Sequence, residues 1–115
     1  MSESIDVARR AVEIAEEQQG SDVVLLDITA LTTIADYFVV LSAESTRQIS
    51  ALTDAISGGL KAVGGRLHHQ EGAASSGWVL LDYSDVIVHV FSSEERDRYR
   101  LEQAWSEAVT LVRVQ

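Results

Sequence analysis

Residues 71–91, with the sequence EGAASSGWVLLDYSDVIVHVF, decide the fold of this chain. A polar loop leads into two runs rich in β-branched, aromatic and aliphatic residues, 78–83 and 85–91, and Ser84 lies at the reversal between them. Two such runs around a very tight turn are typical of a β-hairpin. Carboxylates and an imidazole are embedded in this hairpin, and polar groups of that kind within a buried sheet usually need a reason.

On the N-terminal side of the hairpin, hydrophobic spacing predicts one helix and two strands. Apolar residues at helical intervals over residues 5–15 predict the helix, and Gly20 is placed to cap its C-terminal end. Continuous apolar runs at 23–28 and 37–41 are typical of strands that are covered on both faces.

A second helix is predicted between these strands and the hairpin. Ser45 and Gln48 have the form of a capping box that starts it, and the glycine pair at 64–65 ends it. The glycine pair at 58–59 costs about 1 kcal/mol per glycine relative to alanine, so we expect it to pack closely against the sheet. Residues 66–71 then predict a third strand.

After the hairpin, Ser92 and Glu95 form a second capping box, which predicts a last helix. The buried stripe predicted for this helix comprises Leu101, Ala104, Trp105, Ala108 and Leu111 or Val112. The predicted order is therefore α-β-β-α-β-β-β-α, an α/β fold (mixed α+β) in which helices flank a five-stranded mixed sheet. Strands joined by short turns must pair antiparallel, whereas the crossover through the central helix predicts one parallel pair.

Composition limits the class of protein. The 115 residues fit one domain over residues 1–115, and eighteen acidic residues against nine basic ones give a formal charge of −9. This charge argues against nucleic-acid binding and fits either a basic protein partner or simple solubility. The chain has no cysteine, no apolar run near ~18 residues and no secretory signal, so we expect a cytoplasmic protein without disulfides or thiolate metal sites.

Catalytic and metal sites have weak support in the sequence. His68 and His69 are adjacent on a predicted strand and therefore point to opposite faces, which disfavours a shared metal ion. Ser84 and His89 suggest a nucleophilic triad with Asp82. However, a serine in a hairpin turn lacks the strand-to-helix elbow on which such nucleophiles sit.

Nucleotidyl transfer is the stronger enzyme alternative. Asp27, Asp82 and Asp85 are carboxylates of the kind that hold magnesium ions on a mixed sheet. The loop before the second helix, however, has no glycine to admit a phosphate and contains Glu44, which would repel one. We therefore predict no catalytic residues, no metal and no cofactor. A magnesium-dependent nucleotidyltransferase and an acidic adaptor for some other basic protein are the alternatives.

Alternation along the hairpin favours a binding surface. One face of the second strand carries only Val86, Val88 and Val90, whereas the other face mixes polar and aromatic groups. Aromatic side chains beside carboxylates can anchor and orient a protein partner. The competing interpretation makes Trp78 a core residue and His89 a structural one.

These same residues give the chain a resemblance to the ribosomal silencing factor family, also called the Iojap-like family. The similarity runs from about Ile5 to Trp105 and is strongest in Glu71-Gly72 followed by Trp78-Val79-Leu80-Leu81-Asp82-Tyr83. The other matching pieces are Asp36-Tyr37-Phe38-Val39-Val40, Ser45-x-Arg47-Gln48, Asp85-Val86-x-Val88-His89-Val90-Phe91 and Arg96-x-x-Tyr99-x-Leu101-Glu102-x-x-Trp105.

The resemblance implies a nucleotidyltransferase-like fold without the catalytic signature, and a translational repressor rather than an enzyme. Members of the family dock on the fourteenth protein of the large ribosomal subunit and sterically block its joining with the small subunit, while organelle relatives are linked to assembly of the large subunit. A homodimer is implied too, and neither a membrane nor a specific nucleic-acid sequence is expected as a partner. The residues that we predict to face the partner are Glu71, Trp78, Asp82, Tyr83, Asp85 and His89.

Overall fold

The computed structural model describes residues 3–115, which form helices on both sides of one β-sheet. The elements in chain order are α1 (Ser4–Glu17), β1 (Ser21–Asp27), β2 (Tyr37–Ala43), α2 (Thr46–Ala62), β3 (His69–Ala73), a 3-10 turn (Ala74–Ser76), β4 (Trp78–Asp82), β5 (Val86–Ser92), α3 (Ser93–Tyr99), α4 (Leu101–Ala104) and β6 (Val109–Val114). The predicted mixed sheet flanked by helices is confirmed, with six strands instead of five.

The sheet is mixed, and its strands lie side by side in the order β3-β4-β5-β2-β1-β6. Within residues 3–115 one pair of neighbours, β2 and β5, is parallel. One parallel pair was predicted from the crossover through the central helix, but not which strands form it. The other neighbours pair antiparallel. The central position of β2 and β5 explains their apolar runs, because both faces of a central strand are covered.

One face of the sheet, which we call the helix face, is covered by α1 and α2. Aliphatic side chains from both helices and from alternate strand positions form a continuous core there, including Leu25, Leu41, Leu52, Ile56 and Leu81. Each of these five side chains is fully buried. At about 1.5–3 kcal/mol per buried large side chain, this layer supplies most of the hydrophobic stabilisation.

Both serines predicted to cap helices do so. The Ser45 hydroxyl accepts a hydrogen bond from the Gln48 backbone N–H at 3.0 Å, and the Gln48 side chain accepts one from the Glu44 N–H at 2.7 Å. At the start of α3, the Ser92 hydroxyl accepts from the Glu95 N–H at 3.1 Å. Each cap satisfies backbone donors that the first helical turn leaves without partners.

The hairpin forms as predicted, with Tyr83 to Asp85 making the reversal between β4 and β5. Ser84 has a positive φ of 74°, and the Asp85 N–H donates to the Tyr83 carbonyl at 3.0 Å, so the chain turns within three residues. The strand before the hairpin lies later than predicted, at His69–Ala73 instead of 66–71, because its register is set by pairing with β4.

The prediction of one long last helix is wrong. Arg100 takes a left-handed conformation with φ of 48° and ends α3, α4 spans only four residues, and the chain finishes in β6. Val109, Thr110, Val112 and Val114 are β-branched residues that fit a strand. By pairing with β1, they satisfy backbone groups that would otherwise make β1 an exposed edge strand.

Two predictions about glycines are wrong in position. The left-handed residue after α1 is Gln19 and not Gly20, where a Cβ would instead lie 2.9 Å from the Leu41 side chain. The pair at 58–59 does not meet the sheet: a Cβ on Gly58 would enter open space, and one on Gly59 would collide with Ile14 on α1. Gly59 therefore permits the close approach of α1 and α2 to each other.

Candidate functional site

The face of the sheet opposite α1 and α2 carries the polar residues of the hairpin. Cross-strand pairing places three rows of side chains on this face: Ala73, Trp78 and Phe91; Glu71, Leu80 and His89; His69, Asp82 and Ile87. We call the array of these nine residues the open face. It lies at one side of the sheet, where β3 is the edge strand.

Burial on the open face decreases from the middle of the sheet toward its edge. On β5, Phe91 is fully buried and His89 is only 4% exposed. All three residues contributed by β4 are partly buried, and every residue of β3 is exposed. The open face is therefore anchored in the core on one side and available to solvent on the other.

Trp78 and His89 are linked by a side-chain hydrogen bond. The Trp78 indole N–H donates to His89 Nδ1 at 3.2 Å, so Nδ1 is unprotonated and the proton of the neutral ring is on Nε2. Burial lowers the pKa of His89 to about 4, which keeps the imidazole neutral near pH 7. Within residues 3–115, His89 Nε2 has no hydrogen-bond partner.

An aromatic cluster surrounds this pair. The Phe38 ring meets the His89 ring edge-on, with centroids 5.0 Å apart, and the Trp78 ring stacks on Phe91 at the same separation. Tyr99 on α3 lies 4.6 Å from Trp78 by ring centroids and is half exposed. Aromatic pairs in such geometries add about 0.5–1.5 kcal/mol each beyond burial, so the orientation of Trp78 is well fixed.

Arg96 holds α3 against the sheet and thereby positions Tyr99. Its guanidinium pairs with Glu102 at 2.7 Å and donates to the Asp22 carbonyl at 2.6 Å and to the Ser42 hydroxyl at 2.9 Å. The Arg96 side chain is only 12% exposed. This explains physically why the sequence carries Arg96 and Glu102 at this spacing.

The three predicted carboxylates have different surroundings. Glu71 is 64% exposed and accepts a hydrogen bond from the His69 ring at 2.9 Å. Asp82 accepts from the Ser84 backbone N–H at 2.7 Å and so stabilises the hairpin turn. Asp85 lies in the turn itself and is exposed.

Of the six residues predicted to face a partner, the structure brings Glu71, Trp78, Asp82 and His89 together on the open face. His89 lies buried beneath that surface. Tyr83 points to the helix face, where it is 8% exposed, and Asp85 lies at the end of the hairpin. Burial raises the pKa of the Tyr83 hydroxyl, which has no hydrogen-bond partner within the described residues. A partner role for the six stays a prediction.

Ser84, His89 and Asp82 do not form a catalytic triad in the structure. Asp82 bonds the backbone of Ser84 and not an imidazole, while His89 Nδ1 is occupied by Trp78. Over residues 3–115 there is no group of three or more histidine, aspartate or glutamate side chains that could hold a metal ion. Over the same residues, no helix has the length and apolar character needed to cross a membrane.

Two residues of α3 that border the open face were not predicted from the sequence as site residues. Glu95 and Tyr99 line a small groove together with Glu71, Trp78 and Leu80. Both lie on an element that is distant in sequence from β3, so no local pattern signals their proximity. The only sequence signal for Tyr99 was its place in the family motif.

Comparisons with known proteins agree with one another. The family model described as "Ribosomal silencing factor during starvation" matches residues 1–115. The "Ribosomal silencing factor RsfS" of Chromobacterium violaceum is 35% identical over 100 residues, which cover 87% of this chain and 82% of that protein. The mouse "Mitochondrial assembly of ribosomal large subunit protein 1" is 24% identical over 83% of this chain and 43% of its own length.

A solved structure has the same fold. The crystal structure of a protein from Chromobacterium violaceum superposes with a TM-score of 0.87 at 34% sequence identity, covering 91% of this chain and 88% of the other. The family is regulatory and is named for silencing of the ribosome, not for a reaction. A full-length family match and relatives above 30% identity show that this chain belongs to the RsfS family of ribosomal silencing factors.

Proposed function

We propose that this protein is a cytoplasmic translational repressor that docks its open face on the fourteenth protein of the large ribosomal subunit. Bound there, it blocks joining of the small subunit. Its membership of the ribosomal silencing factor family supports a role at the ribosome. The name of the mouse relative, which refers to the large ribosomal subunit, supports the choice of subunit.

The observation that carries the proposal is the open face itself. Partly buried Trp78 and Leu80 lie beside exposed Glu71 and half-exposed Tyr99 on one continuous surface. Fixed aromatic side chains lose little entropy on binding and are common energetic centres of protein interfaces. Carboxylates at the rim of such a surface set the orientation of a basic partner.

The charge of the chain supports the same partner class. A formal charge of −9 attracts a basic ribosomal protein over distances of about 8–10 Å at physiological salt. The same charge repels bare RNA phosphates, which disfavours binding elsewhere on the subunit. Association with the subunit should therefore be faster at low ionic strength than at high ionic strength.

Obstruction of subunit joining requires occupancy and no chemical step. The molecule spans 32 × 31 × 24 Å, so its thickness alone would hold two rigid surfaces far apart. A standard protein interface buries about 800 Å² per partner, which is a small part of the 6465 Å² that the molecule exposes. Repression then follows from excluded volume.

Co-sedimentation with purified ribosomal subunits tests the docking step. We expect the protein to pellet with large subunits at low ionic strength. When it is mixed with small subunits instead, we expect it to stay in the supernatant while the subunits pellet. A charge reversal at exposed Glu71, Glu71→Lys, should weaken binding about tenfold, because it places a cation against a basic partner. The matched control Glu16→Lys makes the same charge change at an exposed position of α1 and should bind like the wild type.

Two results would overturn the proposal. The proposal of docking on the large subunit is wrong if the wild-type protein remains unbound to large subunits at low ionic strength, or if it binds both subunits equally. The blocking step is tested by mixing saturating protein with both subunits and separating them on a sucrose gradient. An undiminished fraction of joined ribosomes, with the protein bound, would contradict obstruction.

We also propose that two copies of the chain can pair through β6. This strand forms the second edge of the sheet, and Val109 and Leu111 on it are 60% and 41% exposed. An apolar edge strand is a ready template for antiparallel pairing with an identical strand. Sedimentation equilibrium should show a dimer that Leu111→Lys dissociates, and a wild-type protein that stays monomeric at high concentration would contradict this pairing.

A further inference from the structure

A small groove crosses the boundary between the open face and α3. It is lined by Trp78 and Leu80 from β4 and by Tyr99 from α3. Two carboxylate residues also line it, Glu71 from β3 and Glu95 from α3. The groove has a volume of ≈ 190 Å³. Pockets that hold drug-sized ligands have roughly 300–1,000 Å³, so this groove fits a single long side chain better than a nucleotide.

The walls of the groove are fixed in place. Gly72 on β3 has a φ of +81°, and a Cβ there would collide with the Trp78 carbonyl oxygen, so glycine is what lets β3 approach β4 this closely. The Trp78 indole is held by its hydrogen bond to His89, and the Ser92 hydroxyl holds the Glu95 backbone. A preformed groove loses little conformational entropy when it is filled.

The carboxylates give the groove a negative character. Glu71 is bonded to the ring of His69, and Glu95 lies 3.7 Å from Arg98 on the same helix. Arg98 is 75% exposed, so its contact with Glu95 is a weak surface pair. Both carboxylates are therefore free to exchange these contacts for a stronger cation that enters between them.

We propose that this groove, defined by Glu71, Trp78, Leu80, Glu95 and Tyr99, is a receptor for one arginine side chain of the partner protein. The aliphatic stem lies on Leu80 and the guanidinium stacks on the aromatic walls between the two carboxylates. Arginine suits the groove better than lysine, because a planar guanidinium both stacks on aromatic rings and donates to two carboxylates at once. The inference rests on the proposed function for the identity of the partner.

The free protein allows a direct test with a small probe. N-acetyl-arginine amide is titrated into isotope-labelled protein at low ionic strength, and the indole N–H signals are followed by nuclear magnetic resonance. The chain has two tryptophans, so the experiment has an internal control. We expect a saturable shift of the Trp78 signal and no shift of the Trp105 signal, because Trp105 packs on Phe38 outside the groove.

Analogues and variants sharpen the result. N-acetyl-citrulline amide has nearly the same shape without the charge and should give no saturable shift. Glu95→Gln should weaken the arginine probe about fivefold, as expected for loss of one charged partner near the surface. Glu94→Gln, the neighbouring carboxylate in the first turn of α3, lies outside the groove and should change the affinity less than about twofold.

Failure of this inference can be distinguished from failure of the proposed function. If Trp78 does not respond to the arginine probe, or responds equally to citrulline, the arginine receptor is overturned even if the protein binds large subunits. If the probe binds as expected but the wild-type protein does not co-sediment with large subunits, the proposed ribosomal partner is overturned and the groove still stands.

Discussion

The two faces of the sheet have different chemistry and different degrees of cover. The helix face is aliphatic, is packed under α1 and α2, and presents almost nothing to solvent. The open face is aromatic and polar, is covered only near the middle of the sheet by α3 and α4, and becomes exposed toward β3. The helix face therefore supplies most of the stability, which leaves the other face able to carry polar and aromatic side chains.

The largest expected effect is a difference in stability between alanine variants of two adjacent leucines on β4. Leu81 is fully buried on the helix face, whereas Leu80 is partly buried on the open face. Leu81→Ala should lower the free energy of unfolding by about 2–5 kcal/mol, because it leaves a cavity in a packed core. Leu80→Ala, the matched control, should cost less stability but weaken binding to large subunits. Urea unfolding and co-sedimentation measure the two effects.

The reverse result would show that the two faces of β4 have the same role. If Leu80→Ala destabilised the fold as much as Leu81→Ala while subunit binding was unchanged, the open face would be part of the core. The two strand faces would then not differ in function, and the partner surface would have to be sought elsewhere on the molecule.

The second effect is the pH dependence that comes from His89. Its pKa is lowered to about 4 in the folded state from an ordinary value of 6.5, so the unfolded chain binds more protons between these values. The contribution of neutral His89 to the free energy of unfolding therefore has its full value above pH 6.5 and is lost as the pH falls toward 4. The loss amounts to about 3 kcal/mol for a shift of this size.

Urea unfolding at about pH 7 and about pH 4.5 measures this loss in the wild-type protein. The same measurement on a variant without the titrating group shows how much of the loss comes from His89. His89→Phe should show a smaller fall in stability between the two pH values than the wild type. His69→Gln changes a histidine that is exposed and should leave the wild-type pH dependence in place. An unchanged pH dependence in His89→Phe would mean that the imidazole is not held neutral by burial.

The smallest expected effect is a difference in stability and subunit binding between lysine variants of two carboxylates of the hairpin. Asp82→Lys loses the bond to the Ser84 N–H and should cost about 1 kcal/mol of stability. Asp85→Lys should leave stability nearly unchanged, because within residues 3–115 no hydrogen bond or ion pair reaches its side chain. Both should weaken binding to large subunits, Asp82→Lys more strongly, since Asp82 lies on the open face and Asp85 at the turn.

Thermal unfolding and co-sedimentation of the two variants give the comparison directly. Equal stability loss in both variants would show that the turn depends on Asp85 as well. Stronger weakening of subunit binding by Asp85→Lys would move the contact surface from the face of the sheet to the tip of the hairpin.

Much of the fold follows from local patterns in the sequence. Alternating and continuous apolar runs predict β1, β2, β4 and β5, and serine caps predict the starts of α2 and α3. Each of these elements is specified by residues close together in the chain. The crossover through a helix predicts one parallel pair, but not that its members are β2 and β5.

The C-terminal segment shows where local patterns fail. Leu101, Trp105 and Ala108 pack against the sheet as a helical stripe would, so their spacing predicts a helix. The chain instead turns at Arg100 and returns as β6, because β1 has an edge that only a distant segment can pair. Periodicity contains no information about an unpaired edge elsewhere in the molecule.

The candidate site likewise has one part that local sequence patterns predict and one part that depends on distant segments. Alternation on the hairpin places Trp78, Leu80 and Asp82 on one face, and the structure agrees. The contribution of α3 depends on the contacts of Arg96 with Asp22 and Ser42, which lie 74 and 54 residues away in the chain. The burial of Tyr83 and His89 likewise depends on helices and rings that pack from distant segments.

The most direct test of the central claim is an image of this protein bound to the large ribosomal subunit by electron cryo-microscopy. We expect Trp78 and its neighbours on the open face to contact the fourteenth protein of that subunit, with the helix face turned outward into the space that the small subunit would occupy. A bound protein whose open face points to solvent, or one that sits away from the joining surface, would contradict docking through the open face and obstruction of subunit joining.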